Sequence, residues 1–575
     1  MKGRRRLTAF RPESTPQPDS NEPNDGDWLR WIIIFATAWD LALVLLVSPF
    51  APPVRSTSIS NFWLPESILN RFYTYESLFY HSLSVPFAAA LACVTLRVFQ
   101  IRNRLRTAVA SLSTLGFVLS SAGMTFVVLN GGTLIAFSLV WAGLALVFAA
   151  GGLLVYALWP RKEPQASMTF RGRSLTRLAM WVSLITTMLA TVVGVYAAKG
   201  SLQWGAASTF DNFRLVVASH EHVVVTTIDA ALVVLIARHF RADRYLGNPG
   251  LFVKLGLYGI VVGAPTVTIS TFATVPLGVA AHNAITIFAS ILLQASLFIM
   301  YGIMVVEATN LGIRNPIGVV RHTLTYGLLF VIFWVNVVVT LPGIYAAVNL
   351  KKFVGLPNEV AFITGHEHIL VILTAMAFLM LTAHIYGVRG KLATFAGITV
   401  TAGYMLGSAA ATMYMFLDWN PEGSLFVPYL DVGLGLMIVG ATVALIGIAI
   451  GKQVCVHVLP KAVRVVKQRS RFRPLRNPLI AVFVALLVTF SAVSAAILMP
   501  PPQLGLAPGL RQLTSGPWDD RFPAWSPDSQ LVAYVSNREG WIVFGSLELT
   551  LSLTGVLAPL ASRLHIPPGL QTQPA

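Results

Sequence analysis

Long apolar runs separated by short polar loops dominate the chain between residues 29 and 499. A helix needs about 20 apolar residues to cross a hydrocarbon core of about 30 Å, and each run is long enough. The pattern therefore predicts an all-α integral membrane protein of about 13 transmembrane helices. The seventh and eighth runs are the least distinct, because Pro265 and Pro276 interrupt them. The runs are 29–50, 75–98, 107–129, 133–158, 175–198, 214–237, 252–275, 279–306, 323–347, 361–387, 393–417, 428–451 and 478–499.

Composition agrees with this class. The chain is 55% hydrophobic and only 11% charged, whereas soluble domains are about 25% charged. The net charge of +17 could indicate a nucleic-acid partner, but the basic residues lie in short loops between apolar runs. We therefore predict the lipid bilayer as a partner and no nucleic acid. The two cysteines, Cys93 and Cys455, cannot form a disulfide framework, and the sequence has no C-x-x-C-H motif for covalent haem attachment.

The basic residues also orient the predicted helices. Of the 41 Lys and Arg residues, 31 lie at the N-terminus and in the even-numbered loops, six in the odd-numbered loops and four in the C-terminal tail. Positive loops stay in the cytoplasm. This predicts a multi-pass protein of the bacterial inner membrane, with a cytoplasmic N-terminus and an extracytoplasmic C-terminus.

Changes in composition divide the chain into five segments. Residues 1–28 are rich in Pro, Asn, Asp and Glu and are predicted to be a disordered cytoplasmic N-terminus. Residues 29–451 hold the first twelve helices, 452–477 form a basic cytoplasmic loop, and 478–499 form the thirteenth helix. Residues 500–575 form an extracytoplasmic tail that begins with three prolines.

The tail carries a small β-like pattern. Ser526-Pro527-Asp528 predicts a turn, LVAYVS a strand and Asn537–Gly540 a second turn. Residues 510–540 resemble one strand-turn-strand repeat of a TolB-type, WD40-like β-propeller. A propeller needs several blades to close, so we expect a remnant or truncated propeller, with an unstructured tail as the alternative. The segment WIVFGSLELTLSLTGVLAPLA that follows alternates with period two and could be a strand or a weak membrane segment.

Histidines mark the outer ends of several predicted helices. Helices two, six and ten are separated by four spans each, and all enter the membrane from outside. GVYAA precedes one His-Glu-His and GIYAA precedes the other, which indicates an internal repeat of about four helices. The six residues are His81 in helix two, His220 and His222 in helix six, His282 in helix eight, and His366 and His368 in helix ten.

The spacing of the histidines limits their chemistry. Two residues at i and i+2 of a helix point about 200° apart, so His220 and His222 can serve partners on opposite sides of one helix. Two haem groups that flank a helix need this arrangement, and imidazole is a common axial ligand of haem iron. The alternative is that each histidine caps a helix or forms a helix–helix hydrogen bond.

These helices resemble the catalytic subunit of nitric oxide reductases in the haem-copper oxidase superfamily. FVIFWVNVVVTLPGIYAAV and FITGHEHILVILTAMAFLML are similar to helices nine and ten of that family, and LYGIVVGAP and SLFIMYGIMVVEA to helices seven and eight. The resemblance implies twelve helices in three pseudo-repeats of four and an oxidoreductase or electron-transport function. It also implies b-type haem, with His81 and His368 on a low-spin haem and His366 on a second one. His222 could be the second ligand of that other haem. A quinol or extracytoplasmic carrier would supply electrons, with possible partner subunits.

The metal site of that family is incomplete in this sequence. The family places a His-His pair late in helix seven, where this chain has Gly263-Ala264-Pro265. His220 or His222 matches the metal ligand of helix six, and His282 could replace part of the missing pair. This argues against copper or non-haem iron and favours an electron carrier over a catalyst. The alternative is a non-redox transporter, sensor or assembly factor on the same scaffold. Asp229, His384 and Glu307 are the candidates for a proton route, with a structural role favoured for each.

Overall fold

Contacts divide the chain into two compact units, 1–503 and 504–575; the first holds the long helices and the second holds three strands. A computed structural model describes residues 27–47, 76–101, 103–130, 133–161, 168–203, 210–277, 279–311, 313, 316–336, 343, 359–417, 425–451, 520–525, 531–536 and 543–548.

Twelve helices correspond to the first twelve apolar runs. The ninth run is described as an α-helix only over its first half, and the thirteenth run, 478–499, lies outside the described residues, as do the loop 452–477 and residues 1–26. A six-residue helix, Pro316–Arg321, and a 3₁₀ turn, Ala242–Arg244, lie between them. The twelve are α1 Asp27–Val47, α2 Glu76–Val98, α3 Asn103–Asn130, α4 Leu134–Ala157, α5 Leu175–Gln203, α6 Phe210–His239, α7 Gly247–Leu277, α8 Val279–Asn310, α9 Thr323–Trp334, α10 Glu359–Ile385, α11 Gly390–Leu417 and α12 Val427–Ile450.

The lengths of these helices match a bilayer. Within the described residues, nine helices are long and apolar enough to cross a membrane. Helices satisfy their backbone hydrogen bonds internally, which is the requirement for a chain inside lipid. The chain is therefore a helical, multi-pass membrane protein.

Small residues allow neighbouring helices to approach closely. A Cβ atom on Gly256 or Gly259 of α7 would overlap Ala295 of α8, and a Cβ on Gly143 of α4 would overlap Ser120 of α3. Membrane helices associate mainly by van der Waals packing, so glycines at their contacts stabilise the hairpins α3–α4 and α7–α8.

Helix α7 is continuous through Pro265, in agreement with the single apolar run predicted at 252–275. Thr266 Oγ1 donates to Gly263 O at 2.8 Å, and Thr268 Oγ1 donates to Ala264 O at 3.0 Å. Neither bond reaches Val261 O, the carbonyl that loses its N–H partner at Pro265. Pro276 lies in the last turn of α7, shortly before α8 begins at Val279.

Helices α2, α6 and α10 meet inside the first unit. The rings of Phe87 in α2 and Phe378 in α10 lie 5.1 Å apart, and histidine rings join both helices to α6. We call the end at which these three helices begin the histidine end. Ser219, early in α6, donates to Thr274, late in α7, at 3.3 Å. Helix α7 therefore finishes at the histidine end, where α8 begins.

Two small sheets complete the described structure. Thr169–Phe170 (β1) pairs with Arg173–Ser174 (β2), and the turn uses positive φ at Arg171 and Gly172, as tight hairpins do. In the second unit, Asp520–Trp525 (β3), Leu531–Ser536 (β4) and Val543–Glu548 (β5) form an antiparallel sheet in that order.

The strand predicted at LVAYVS is confirmed as β4, and β5 lies in the alternating segment that follows it. The β3–β4 register shifts between Arg521 and Ala524, where Pro523 has no N–H to donate. The likeness to a TolB-type repeat stays a prediction.

Candidate functional site

Four of the six predicted histidines form two close pairs. The rings of His81 in α2 and His220 in α6 have centroids 6.5 Å apart and planes within 6° of parallel. The rings of His222 in α6 and His366 in α10 have centroids 6.1 Å apart and planes tilted by 30°. Three helices that are far apart in sequence therefore bring these side chains together.

The two histidines of α6 diverge, as their i, i+2 spacing requires. His220 faces α2, and His222 faces α10. Helix α6 consequently lies between the two pairs and supplies one ring to each.

A hydrogen bond fixes the orientation of His220. Its Nδ1 lies 2.9 Å from Ala190 O in α5, and a carbonyl can only accept, so Nδ1 carries the proton. In the neutral ring, Nε2 then keeps its lone pair. Metal-binding histidines usually donate their other ring N–H to a carbonyl or carboxylate in this way.

Glycines lie against the first histidine of each His-Glu-His. A Cβ on Gly194 in α5 would overlap the ring of His220, and a Cβ on Gly343 would overlap the ring of His366. Gly194 begins GVYAA and Gly343 begins GIYAA. The sequence repeat therefore has a packing cause, since only glycine leaves room for the imidazole.

His366 is 5% exposed, and its Nδ1 is buried without a hydrogen-bond partner among the described residues. Desolvating a polar nitrogen without a partner costs about 1–3 kcal/mol. Such an orphaned nitrogen calls for an explanation, for example a bound water, a bound ion or a redox role.

His81 is the exposed member of the group, and its helix is anchored from two sides. Ser121 Oγ in α3 donates to Ser82 O at 2.8 Å, and Trp39 Nε1 in α1 donates to the same Ser121 Oγ at 2.7 Å. These bonds fix the backbone of α2 next to His81.

The other two predicted ligands are placed only by their backbones. His368 lies in α10 and His282 in the first turns of α8, at the histidine end, and both side chains are outside the described residues. The pairing of His81 with His368 stays a prediction. In the described structure, the ring beside His81 is that of His220.

The ring spacing of both pairs matches that of two imidazoles on one metal ion. Two imidazoles on opposite sides of one metal ion, with bonds of about 2 Å, place their ring centroids roughly 6 Å apart. Both pairs have this spacing, and paired histidines are suitable axial ligands for haem iron. Among the described side chains, no three His, Cys, Asp or Glu residues converge as a group that could hold a metal ion.

A third histidine pair, not predicted from the sequence, lies at the opposite end of α6 and α10. His239 Nε2 lies 2.7 Å from His384 Nδ1, and His384 Nε2 lies 3.2 Å from Thr325 Oγ1. A repeated spacing could have revealed this pair, because a histidine ends the helix about one bilayer thickness after each His-Glu-His.

The candidates for a proton route have local partners. Asp229 Oδ2 accepts from Asn336 Nδ2 at 3.4 Å, and Glu307 Oε1 accepts from Asn310 Nδ2 at 3.0 Å. His384 bonds His239. These contacts join or stabilise helices and agree with the structural role favoured for each residue.

No protein-family model, no curated protein and no solved structure matches this chain. Its function is therefore inferred from the geometry of the histidine pairs.

Proposed function

We propose that this chain is a membrane haem protein, in which His81 and His220 would hold one haem and His222 and His366 a second. The spacing of the two ring pairs, 6.5 and 6.1 Å, is the observation that supports this assignment. Haem held in this way supplies one-electron transfer. If His81, His220, His222 and His366 all hold haem, the protein would be an electron carrier rather than an enzyme that activates a substrate on the metal.

The surrounding residues support binding and orientation. Ala190 O holds the Nδ1 proton of His220, which directs the lone pair to Nε2. Gly194 and Gly343 leave room for the rings of His220 and His366. The buried setting of His366 excludes water from its nitrogen.

The broader proposal follows the resemblance to haem-copper oxidases and nitric oxide reductases. We infer thirteen helices, the first twelve in three pseudo-repeats of four, in a bacterial inner membrane with the N-terminus inside and the C-terminus outside. A quinol or an extracytoplasmic carrier would donate electrons, with possible partner subunits. Ala264-Pro265 in place of a His-His pair supports the absence of a complete dinuclear metal site.

Optical spectra and elemental analysis of the purified protein test the haem proposal. We expect two b-type haems per chain, iron equal to the haem content, and no stoichiometric copper. Copper at one per chain would overturn the electron-carrier assignment in favour of a metal-containing enzyme. Protein without haem or metal would leave the non-redox alternative, a transporter, sensor or assembly factor.

Reporter fusions test the orientation. Cytoplasmic reporters placed after Arg106, Arg173 or Arg471 should be active, and a reporter after Pro502 should behave as extracytoplasmic. An active cytoplasmic reporter at Pro502 would remove one helix from the proposed topology and place the tail inside.

A further inference from the structure

Four arginines gather where several helices meet at the end opposite the histidine end. Arg97 stands at the end of α2, Arg177 at the start of α5, Arg238 at the end of α6 and Arg241 just beyond it. We call these four residues the arginine cluster. Three helices and one loop contribute to it.

Phe99 brings two members together. The guanidinium carbons of Arg177 and Arg238 lie 5.9 and 5.6 Å from the centroid of its ring. The two guanidinium carbons can therefore be no farther apart than the sum of those two distances. The ring itself is buried, so it is a fixed platform, and cation–π contact holds each guanidinium against it.

The other two members are held close by. The guanidinium carbon of Arg97 lies 4.4 Å from the ring centroid of Tyr386. Arg97 and Arg241 both interact electrostatically with the ring of His239. Arg238 Nη1 lies 3.3 Å from Asp243 Oδ2, and that carboxylate takes up part of the positive charge.

Positive charge is crowded around Arg241. Burial lowers the pKa of its guanidinium, and the neighbouring Arg244 and Arg238 lower it further, against the opposing effect of Asp243. A bound anion would relieve this repulsion.

We propose that the arginine cluster binds a phosphate group. Guanidinium forks bond phosphate oxygens bidentately, and basic sites between membrane helices commonly hold lipid head groups. The source is either an anionic phospholipid at the membrane surface or a free phosphate in solution. This site is separate from the two histidine pairs at the histidine end and does not depend on haem.

Native mass spectrometry of the full chain with phosphatidylglycerol or phosphatidylcholine tests the proposal. The wild type should retain phosphatidylglycerol, and the double variant Arg97→Gln with Arg177→Gln should bind it about tenfold more weakly, because charged hydrogen bonds are lost. Arg104→Gln is the matched control, since Arg104 is an exposed arginine at the start of α3, at the same end. It should bind like the wild type.

A second arm identifies the source of the phosphate. If millimolar inorganic phosphate displaces the lipid and raises the melting temperature of the wild type but not of the double variant, the ligand is a free phosphate. If the lipid binds and inorganic phosphate has no effect, the ligand is the lipid head group. Equal retention of the two lipids by the wild type, or unchanged binding by a folded double variant, would overturn the site. Should the double variant not fold, Arg97→Lys with Arg177→Lys keeps the charge and loses the forks, and it must still bind more weakly than the wild type.

Discussion

Helices α6 and α10 carry a histidine pair near each end, and the two pairs are built differently. At the histidine end, the rings of His222 and His366 have centroids 6.1 Å apart and no hydrogen bond reaches His366 Nδ1 from the described residues. At the other end, the rings of His239 and His384 have centroids 4.9 Å apart, meet at 87° and share a hydrogen bond of 2.7 Å. About 26 Å of helix separates His222 from His239.

The difference separates two uses of the same residue type. In the closed pair, His239–His384, both nitrogens of His384 have partners within the protein, and the hydrogen bond between the rings leaves no space for an atom between them. The open pair, His222–His366, has the spacing of two ligands on one metal. Because both pairs join the same two helices, the closed pair is an internal control for the open one.

The largest expected effect is the loss of haem when one histidine of the open pair is replaced. His366→Ala or His222→Ala should remove about one of the two haems, because losing even an outer-shell partner costs about 10- to 100-fold in metal affinity. His384→Ala should keep both haems. The measurement is haem per chain by the pyridine haemochrome assay. Equal haem loss in His384→Ala and His366→Ala would end the distinction between open and closed pairs.

A smaller effect is expected when His366 or His220 is displaced rather than removed. Gly343→Ala and Gly194→Ala place a methyl group against the rings of His366 and His220. Each should weaken haem binding by about tenfold and shift the absorption bands, because the ring must tilt or move away. Haem titration followed by optical spectra measures both. Unchanged spectra in both variants would show that the glycines do not position the histidines.

Breaking the closed pair should affect stability alone. His239→Ala leaves His384 buried without its imidazole partner, which should lower the free energy of unfolding by about 1–3 kcal/mol. Haem content should not change. His322→Ala is the control, since His322 makes no capping hydrogen bond at the start of α9, and its effect should stay within about 0.5 kcal/mol. Denaturant unfolding followed by tryptophan fluorescence gives these values, and equal stability of His239→Ala and wild type would contradict the prediction.

The smallest effect is expected for a variant that serves as a control for the two glycine variants. Gly435 lies within α12 with open space around a built Cβ. Gly435→Ala should raise the free energy of unfolding by about 0.5–1 kcal/mol, from helix propensity alone, without altering the spectra. If Gly435→Ala loses haem as Gly343→Ala does, the loss reflects general disturbance rather than contact with a histidine.

Most of the helical fold could be predicted from the sequence. Bilayer thickness sets the length of each apolar run, so α4, predicted at 133–158, is found at Leu134–Ala157. The divergence of His220 and His222 also followed from helix geometry.

The partners of the histidines could not be predicted, because they depend on how each helix is rotated about its axis. Packing of small residues sets that rotation in a membrane, and sequence spacing does not report it. His220 consequently meets His81, a contact that no motif indicated. The likeness of GVYAA and GIYAA was visible, but the role of their glycines needed the folded chain.

The contacts of Gly194 with His220 and of Gly343 with His366 also have an evolutionary consequence. Any side chain at either glycine would displace the imidazole it covers, so each glycine is constrained only while its histidine is needed. Related chains that have lost one of these histidines should therefore tolerate larger residues at the matching glycine. Gly194 and His220 should be kept together or lost together, and so should Gly343 and His366. The two contacts should change independently of one another.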